Sequence, residues 1–176
     1  MPFLTKALAG HELEIRKYHP GMDFSCGDKD LVILSGGGGE GLEIHDEHEP
    51  GHLWYENEME FVRTTDKPVL GICMGLEVIA RAFGESVDKM AKGVNSFQEF
   101  EMTDAGKKLL GKSRVKQFEA HDWHVPKAPK GFEILAKSKN GIEIIKHESR
   151  KILATQFHPE KGGTLSLKNL IGFIGV

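Results

Sequence analysis

The sequence predicts an α/β domain with a mixed sheet flanked by helices, and three observations carry that prediction. Short apolar, β-branched runs, Asp30–Leu34, Pro68–Leu70 and Ile152–Phe157, read as strands buried on both faces. Helix-period patterns lie between such runs; the clearest is Leu76, Ile79, Ala80 and Phe83 at i, i+3, i+4 and i+7. Late in the chain, Phe132–Ala136 and Ile142–Ile145 alternate apolar and polar residues around Asn140-Gly141, a strong hairpin signal. Parallel-type strands joined by helices, followed by an antiparallel hairpin, make a mixed-sheet α/β sandwich.

The elements follow in order. Pro2–Ala9 reads as the end of a helix stopped by Gly10, and His11–His19, with Leu13 and Ile15 alternating against charges, as a half-exposed strand closed by Pro20-Gly21. The Asp30–Leu34 strand runs into Ser35 and four glycines, Gly36–Gly39. Residues Glu40–Glu60 form a polar surface insert. Within it His45, His48 and His52 are spaced for a helix-borne metal site, but Pro50-Gly51 interrupts the helix, so no metal site is expected. Trp54, Tyr55, Met59, Phe61 and Val62 suggest an inward-packing helix. After the 76–83 helix come a turn and strand at Gly84–Val87, then strands at Gln98–Met102 and Val115–Ala120 joined by a short helix around Ala105–Leu110. Leu165–Ile171 closes the chain as a helix.

Composition bounds the function. One domain of 176 residues, 39% hydrophobic and 28% charged, is large enough for a sizeable core. A net charge of −3 gives no electrostatic argument for nucleic acid or a membrane surface. No apolar run approaches the roughly 18 residues of a membrane span, and no secretory signal is visible. Two cysteines, Cys26 and Cys73, imply no disulfide framework and fit a reducing cytoplasm.

The chemistry gathers at two motifs. Gly71-Ile72-Cys73-Met74-Gly75 places a cysteine where a strand turns sharply into a helix, the geometry of a nucleophile elbow. The flanking glycines relieve crowding in that turn, and a helix N-terminus favours the thiolate. Far downstream, Gln156-Phe157-His158-Pro159-Glu160 follows a strand. His158 can accept the thiol proton, Glu160 can hold its other ring nitrogen, and Pro159 fixes the backbone between them. A phosphate-binding role for the glycine run is weaker, because neither Lys-Ser/Thr nor Gly-x-Gly-x-x-Gly spacing accompanies it.

The pair GICMG and QFHPE resembles the class I, triad-type glutamine amidotransferases over about Leu31 to Leu170. The stretches Ala120–Val125 and Pro129–Ala136 are most similar to the stand-alone glutaminase subunit of GMP synthetase. The resemblance implies a flavodoxin-like sheet, with Cys73, His158 and Glu160 catalytic and the amides of Gly37 and Met74 forming the oxyanion hole. Weaker matches carry over Glu77, Val94, Asn95, Ser96 and His121 as substrate-binding residues. It implies L-glutamine as substrate, a thioester intermediate, no metal or organic cofactor, and an ATP-dependent synthetase subunit on a separate chain that uses the ammonia in GMP biosynthesis.

Four departures qualify the resemblance. The family begins with a buried strand, and this sequence reads as starting in the helix that follows it: either the start is trimmed, or the apolar Ile171–Val176 or a partner chain fills the gap. The family's proline after Gly-Gly is Gly38, and its glutamine after the elbow is Glu77. In the Ser-His-x-Asp pattern of the GMP synthetase group, Ala120 and Trp123 replace the Ser and Asp. Two alternatives therefore stay open: a stand-alone hydrolase of γ-glutamyl compounds, motivated by Glu77, and a non-catalytic binding or regulatory homologue.

Overall fold

A computed structural model describes residues 2–19, 21–36 and 51–176. Gly37, His45 and His48 lie outside the described residues. Seven strands form one sheet in the order β1-β2-β7-β6-β5-β3-β4. β1 (Val32–Gly36), β2 (Val69–Cys73) and β7 (Ile152–Thr155) are parallel. β6 (Gly141–His147), β5 (Phe132–Ser138), β3 (Asp88–Met102) and β4 (Arg114–His124) continue the sheet antiparallel. The mixed α/β prediction holds.

Alternation along the central strands builds two apolar layers, because successive side chains point to opposite faces. Val69, Ile145 and Ile152 pack on one face with Met59 and Val62 of α2 (Glu56–Thr64) and with Leu76 and Ile79 of α3 (Met74–Ala82). Leu70, Ile72, Ile144 and Leu153 face the other way, against Leu8 beyond α1 (Pro2–Ala7) and against Leu167, Leu170 and Ile174 of α5 (Leu167–Ile174). The C-terminal apolar run is therefore helix, not a substitute strand. A capping box between Ser166 and Asn169 starts it, and its apolar side docks on the sheet. Arg150 fastens the turn before β7 to the end of α2, donating to the carbonyls of Val62, Arg63 and Thr65.

Two expectations change. His11–His19 is irregular rather than strand: cavities of about 200 and 190 Å³, both walled by Arg16 and Ile33, separate it from β1. A chain segment with no backbone neighbour within hydrogen-bonding distance cannot join the sheet. Secondly, β3 begins ten residues before Gln98 and β4 runs on to His124, so residues 88–97 and 118–124, mostly outside the expected strands, form a two-stranded ribbon. Most of the β3 part of that ribbon is solvent-exposed, so it lacks the apolar alternation that reveals a strand. β3 and β4 are joined by α4 (Asp104–Leu110), whose N-cap Thr103 accepts from the Gly106 amide.

Candidate active site

β2 ends and α3 begins at Cys73, the one non-glycine residue with positive φ (55°) among the described residues. Both neighbouring glycines are sterically required. A Cβ on Gly75 would overlap the Leu34 carbonyl of β1, and one on Gly71 would lie 2.7 Å from the Gly75 backbone. Two neighbouring backbones thus approach each other through the space that side chains would fill, and the cysteine is presented at the tip of the turn.

The thiol is nearly buried, at 8% exposure, and its Sγ lies 3.8 Å from the Ala120 carbonyl of β4. Burial, reinforced by the Glu77 carboxylate, pushes it up to about 12; a hydrogen bond from the Met74 amide and the Lys161 charge pull the other way. The thiolate expected from the helix N-terminus is therefore not the resting form. Desolvation outweighs a dipole whose effect is about 1 kcal/mol. A proton acceptor must act in step with the sulfur.

The candidate base is His158. His158 follows β7, and its backbone N–H donates to the Phe118 carbonyl of β4 at 2.8 Å. Pro159 opens a single 3₁₀ turn, Pro159–Lys161, that swings Glu160 back toward the imidazole. Glu160 Oε1 then sits 2.8 Å from His158 Nδ1, with the two side chains 7% and 12% exposed. A carboxylate at Nδ1 fixes the tautomer: Nδ1 donates and Nε2 is left to accept. Glu160 and Lys161 both act electrostatically on Cys73, and both motifs lie against β4, Cys73 at the Ala120 carbonyl and His158 at the Phe118 carbonyl.

The remaining residues divide. Met74 heads α3 with its amide directed at the Cys73 sulfur. Gly36, the neighbour of Gly37, pairs in register with Cys73. Glu77 is buried and accepts from Gln156 Nε2 at 3.0 Å, so it braces the segment leading to His158. Val94, Asn95 and Ser96 lie on β3 directly opposite His121, Ala120 and Glu119 of β4; Asn95 and Ser96 are exposed, and Asn95 faces the residue whose carbonyl meets Cys73. His121 is buried, with Nδ1 2.7 Å from the Trp123 carbonyl and Nε2 3.4 Å from Glu119. Burial lowers its pKa, but those two partners outweigh burial and raise it.

Sequence reasoning missed Gln117, Glu119, Glu143 and Gln156, polar residues that are fully buried near the site. Their one sequence signal is position: Gln117, Glu119 and His121 continue the inward alternation begun by Val115. Among the described residues no three metal-ligating side chains converge, and no helix is long and apolar enough to cross a membrane.

The profile of the family "Glutamine amidotransferase class-I" matches residues 7–172. The glutamine-hydrolyzing GMP synthase subunit of Thermococcus kodakarensis is 39% identical over 99 residues, covering 55% of this chain and 53% of that protein. The corresponding GMP synthase subunit of Sulfurisphaera tokodaii is 32% identical over 135 residues, covering 76% and 68%. The match to the Thermococcus protein thus spans about half of its length. Among solved structures, one from Thermoplasma acidophilum is 26% identical with a TM-score of 0.67, covering 83% of this chain and 73% of that one. A glutamine amidotransferase from Thermotoga maritima, 20% identical with a TM-score of 0.60 over 83% of this chain and 61% of its own, shares the fold.

Proposed function

The chain belongs to the class-I glutamine amidotransferase family, and on that premise we propose that it is a glutaminase subunit that releases ammonia from L-glutamine for a separate, ATP-dependent synthetase chain of the GMP synthase type. The observation that carries the proposal is the His158–Glu160 pair at 2.8 Å, taken together with a cysteine on a strained strand-to-helix turn. The likeness to the glutamine-hydrolyzing GMP synthase subunits supports the choice of acceptor.

The chemistry follows from the site. His158 Nε2 takes the Cys73 thiol proton as sulfur attacks the glutamine side-chain amide carbon. The oxyanion forms against the Met74 amide and, by resemblance, that of Gly37. The C–N bond then breaks, His158 returns the proton to the departing nitrogen, and ammonia leaves a thioester. Water gives a proton to His158 and attacks the thioester; the C–S bond breaks, the thiol is restored and glutamate departs. Glu160 stabilises the transient imidazolium in both halves. A neutral resting thiol makes the proton transfer to His158 part of the attack. Glu77 is engaged by Gln156, so it gives a γ-glutamyl hydrolase no support.

The test is glutamate release from L-glutamine by the purified chain, with and without the synthetase, beside Cys73→Ala and a chloroketone glutamine analogue. Turnover, or labelling at Cys73 that is lost in the variant, is the expected result. A folded protein that shows neither, with the synthetase present, refutes the proposal.

A further inference from the structure

β4 carries a row of buried polar side chains. Gln117 is accounted for by the 163–165 segment, since it donates to the Leu165 carbonyl and accepts from the Leu165 amide, both at 2.9 Å. Glu119 belongs to a different group. It accepts from Asn140 Nδ2 at 3.1 Å and lies 3.4 Å from His121 Nε2. Facing it from β6 is Glu143, whose Oε1 accepts from Ser138 Oγ at 2.6 Å. The Asn140 backbone N–H donates to that same Ser138 Oγ at 2.8 Å, so the two carboxyl groups belong to one buried cluster, and each acts on the other. Each keeps one buried oxygen, Oε1 of Glu119 and Oε2 of Glu143, that no N–H or O–H of the described residues reaches. Two carboxylates can hydrogen-bond only through a proton, and two bare charges at 0% and 1% exposure would be very costly.

We propose that Glu119 and Glu143 share one proton and, with His121 and Asn140, form a buried latch that positions β4 over Cys73. In the sheet β4 is separated from β6 by β5 and β3, so no ladder joins the two directly. The latch makes that connection where it matters. Glu119 sits between Phe118, whose carbonyl receives the His158 amide, and Ala120, whose carbonyl meets the thiol. At the other end, the Glu143 carbonyl accepts from the Gln156 amide at 2.9 Å, two residues before His158. Glu119 and Glu143 are thus positioning residues: they act through the backbones that set nucleophile and base. The functional consequence rests on the glutaminase proposal; the shared proton does not.

Burial, then the Glu119 charge, raises the Glu143 carboxyl to about 8, while Ser138 and His121 oppose the rise. The titratable groups facing it are Glu119 and His121 of β4. A carboxyl raised on folding favours the folded state fully below its unfolded value, near 4.5, and that contribution is lost as pH rises toward 8. Glu143→Gln removes this dependence, because its Oε1 still accepts from Ser138 and its Nε2 donates the bond the proton supplied.

The experiment measures melting temperature from pH 5 to 9, and the rate of Cys73 labelling by the chloroketone analogue, in wild type, Glu143→Gln and Glu143→Ala. We expect Glu143→Gln to melt close to wild type at pH 5 and roughly 8 to 16 °C higher at pH 9. We expect Glu143→Ala to label at least tenfold slower at pH 7, chiefly in the maximal rate rather than in analogue affinity, and Glu143→Gln to restore the rate. A melting gap independent of pH overturns the shared proton. Unchanged labelling in folded Glu143→Ala overturns the positioning role. If wild type itself never labels while the pH-dependent gap is present, the latch stands and the glutaminase proposal falls.

Discussion

Replacing Glu160 by Gln tests the centre of the mechanism while leaving the fold nearly untouched. Gln keeps the size of Glu and an oxygen that accepts from His158 Nδ1, so the 2.8 Å contact survives and only the charge is lost. The charge matters when His158 holds the proton taken from Cys73. At an effective dielectric of about 20 and a charge separation of about 4 Å, attraction between imidazolium and carboxylate is worth about 4 kcal/mol. Because His158 and Glu160 are 12% and 7% exposed, solvent screens little of it. At about 1.4 kcal/mol per tenfold, acylation should slow by a factor of roughly 10³. Stopped-flow measurement of analogue labelling, with steady-state glutamate release beside it, gives kcat and KM. The loss should fall on kcat, since glutamine binding does not require the imidazolium. A kcat within threefold of wild type, in a variant with an unchanged melting temperature, would refute the role of Glu160 as stabiliser of the charged base.

Three further substitutions probe the surroundings. Gly75→Ala drives a methyl into the Leu34 carbonyl; overpacking of this kind costs about 1–3 kcal/mol, so chemical denaturation should show a loss in that range together with loss of labelling at Cys73. Glu77→Gln keeps the bond from Gln156 but removes the carboxylate that raises the thiol, so iodoacetamide should modify Cys73 several-fold faster at pH 8; an unchanged rate would mean that burial alone holds the thiol neutral. Arg150→Ala strands three carbonyls at the end of α2 and should lower stability by about 1–3 kcal/mol without changing labelling of folded protein, measured by urea melts and labelling in parallel.

What could be read from the sequence was what local chemistry dictates. The elbow is local: Gly71, Cys73 and Gly75 announce a turn too tight for side chains, and the following helix shows its period. His158-Pro159-Glu160 is equally local, because proline restricts the backbone that brings carboxylate to imidazole. The strand at His11–His19 failed for the opposite reason, since alternation describes which face is wet but not whether a neighbour lies close enough to share hydrogen bonds. Nor could the protonation state of Cys73 be read: the helix terminus is visible in sequence, whereas the strand lying over the sulfur is not.

Polar residues inside the β4 ribbon expose the deeper limit. By residue type Glu119 and Glu143 look like surface carboxylates, although Glu119 falls on the inward phase of β4. The group joins two segments, Glu119 and His121 on β4 with Ser138, Asn140 and Glu143 on the β5–β6 hairpin. Burying such groups costs several kcal/mol unless every oxygen is satisfied, so their presence at the seam between β4 and β6 demands a compensating use. The seam is where a ribbon at the edge of the sheet must reach back to cover the cysteine. An apolar contact could hold it there, but apolar packing is indifferent to small slips. Directional bonds to Glu119 tolerate far less displacement, and the neighbouring carbonyls of Phe118 and Ala120 are fixed with it. Cys73 and His158, which come from distant segments, thus draw their register from buried charge whose pairing no single strand reveals.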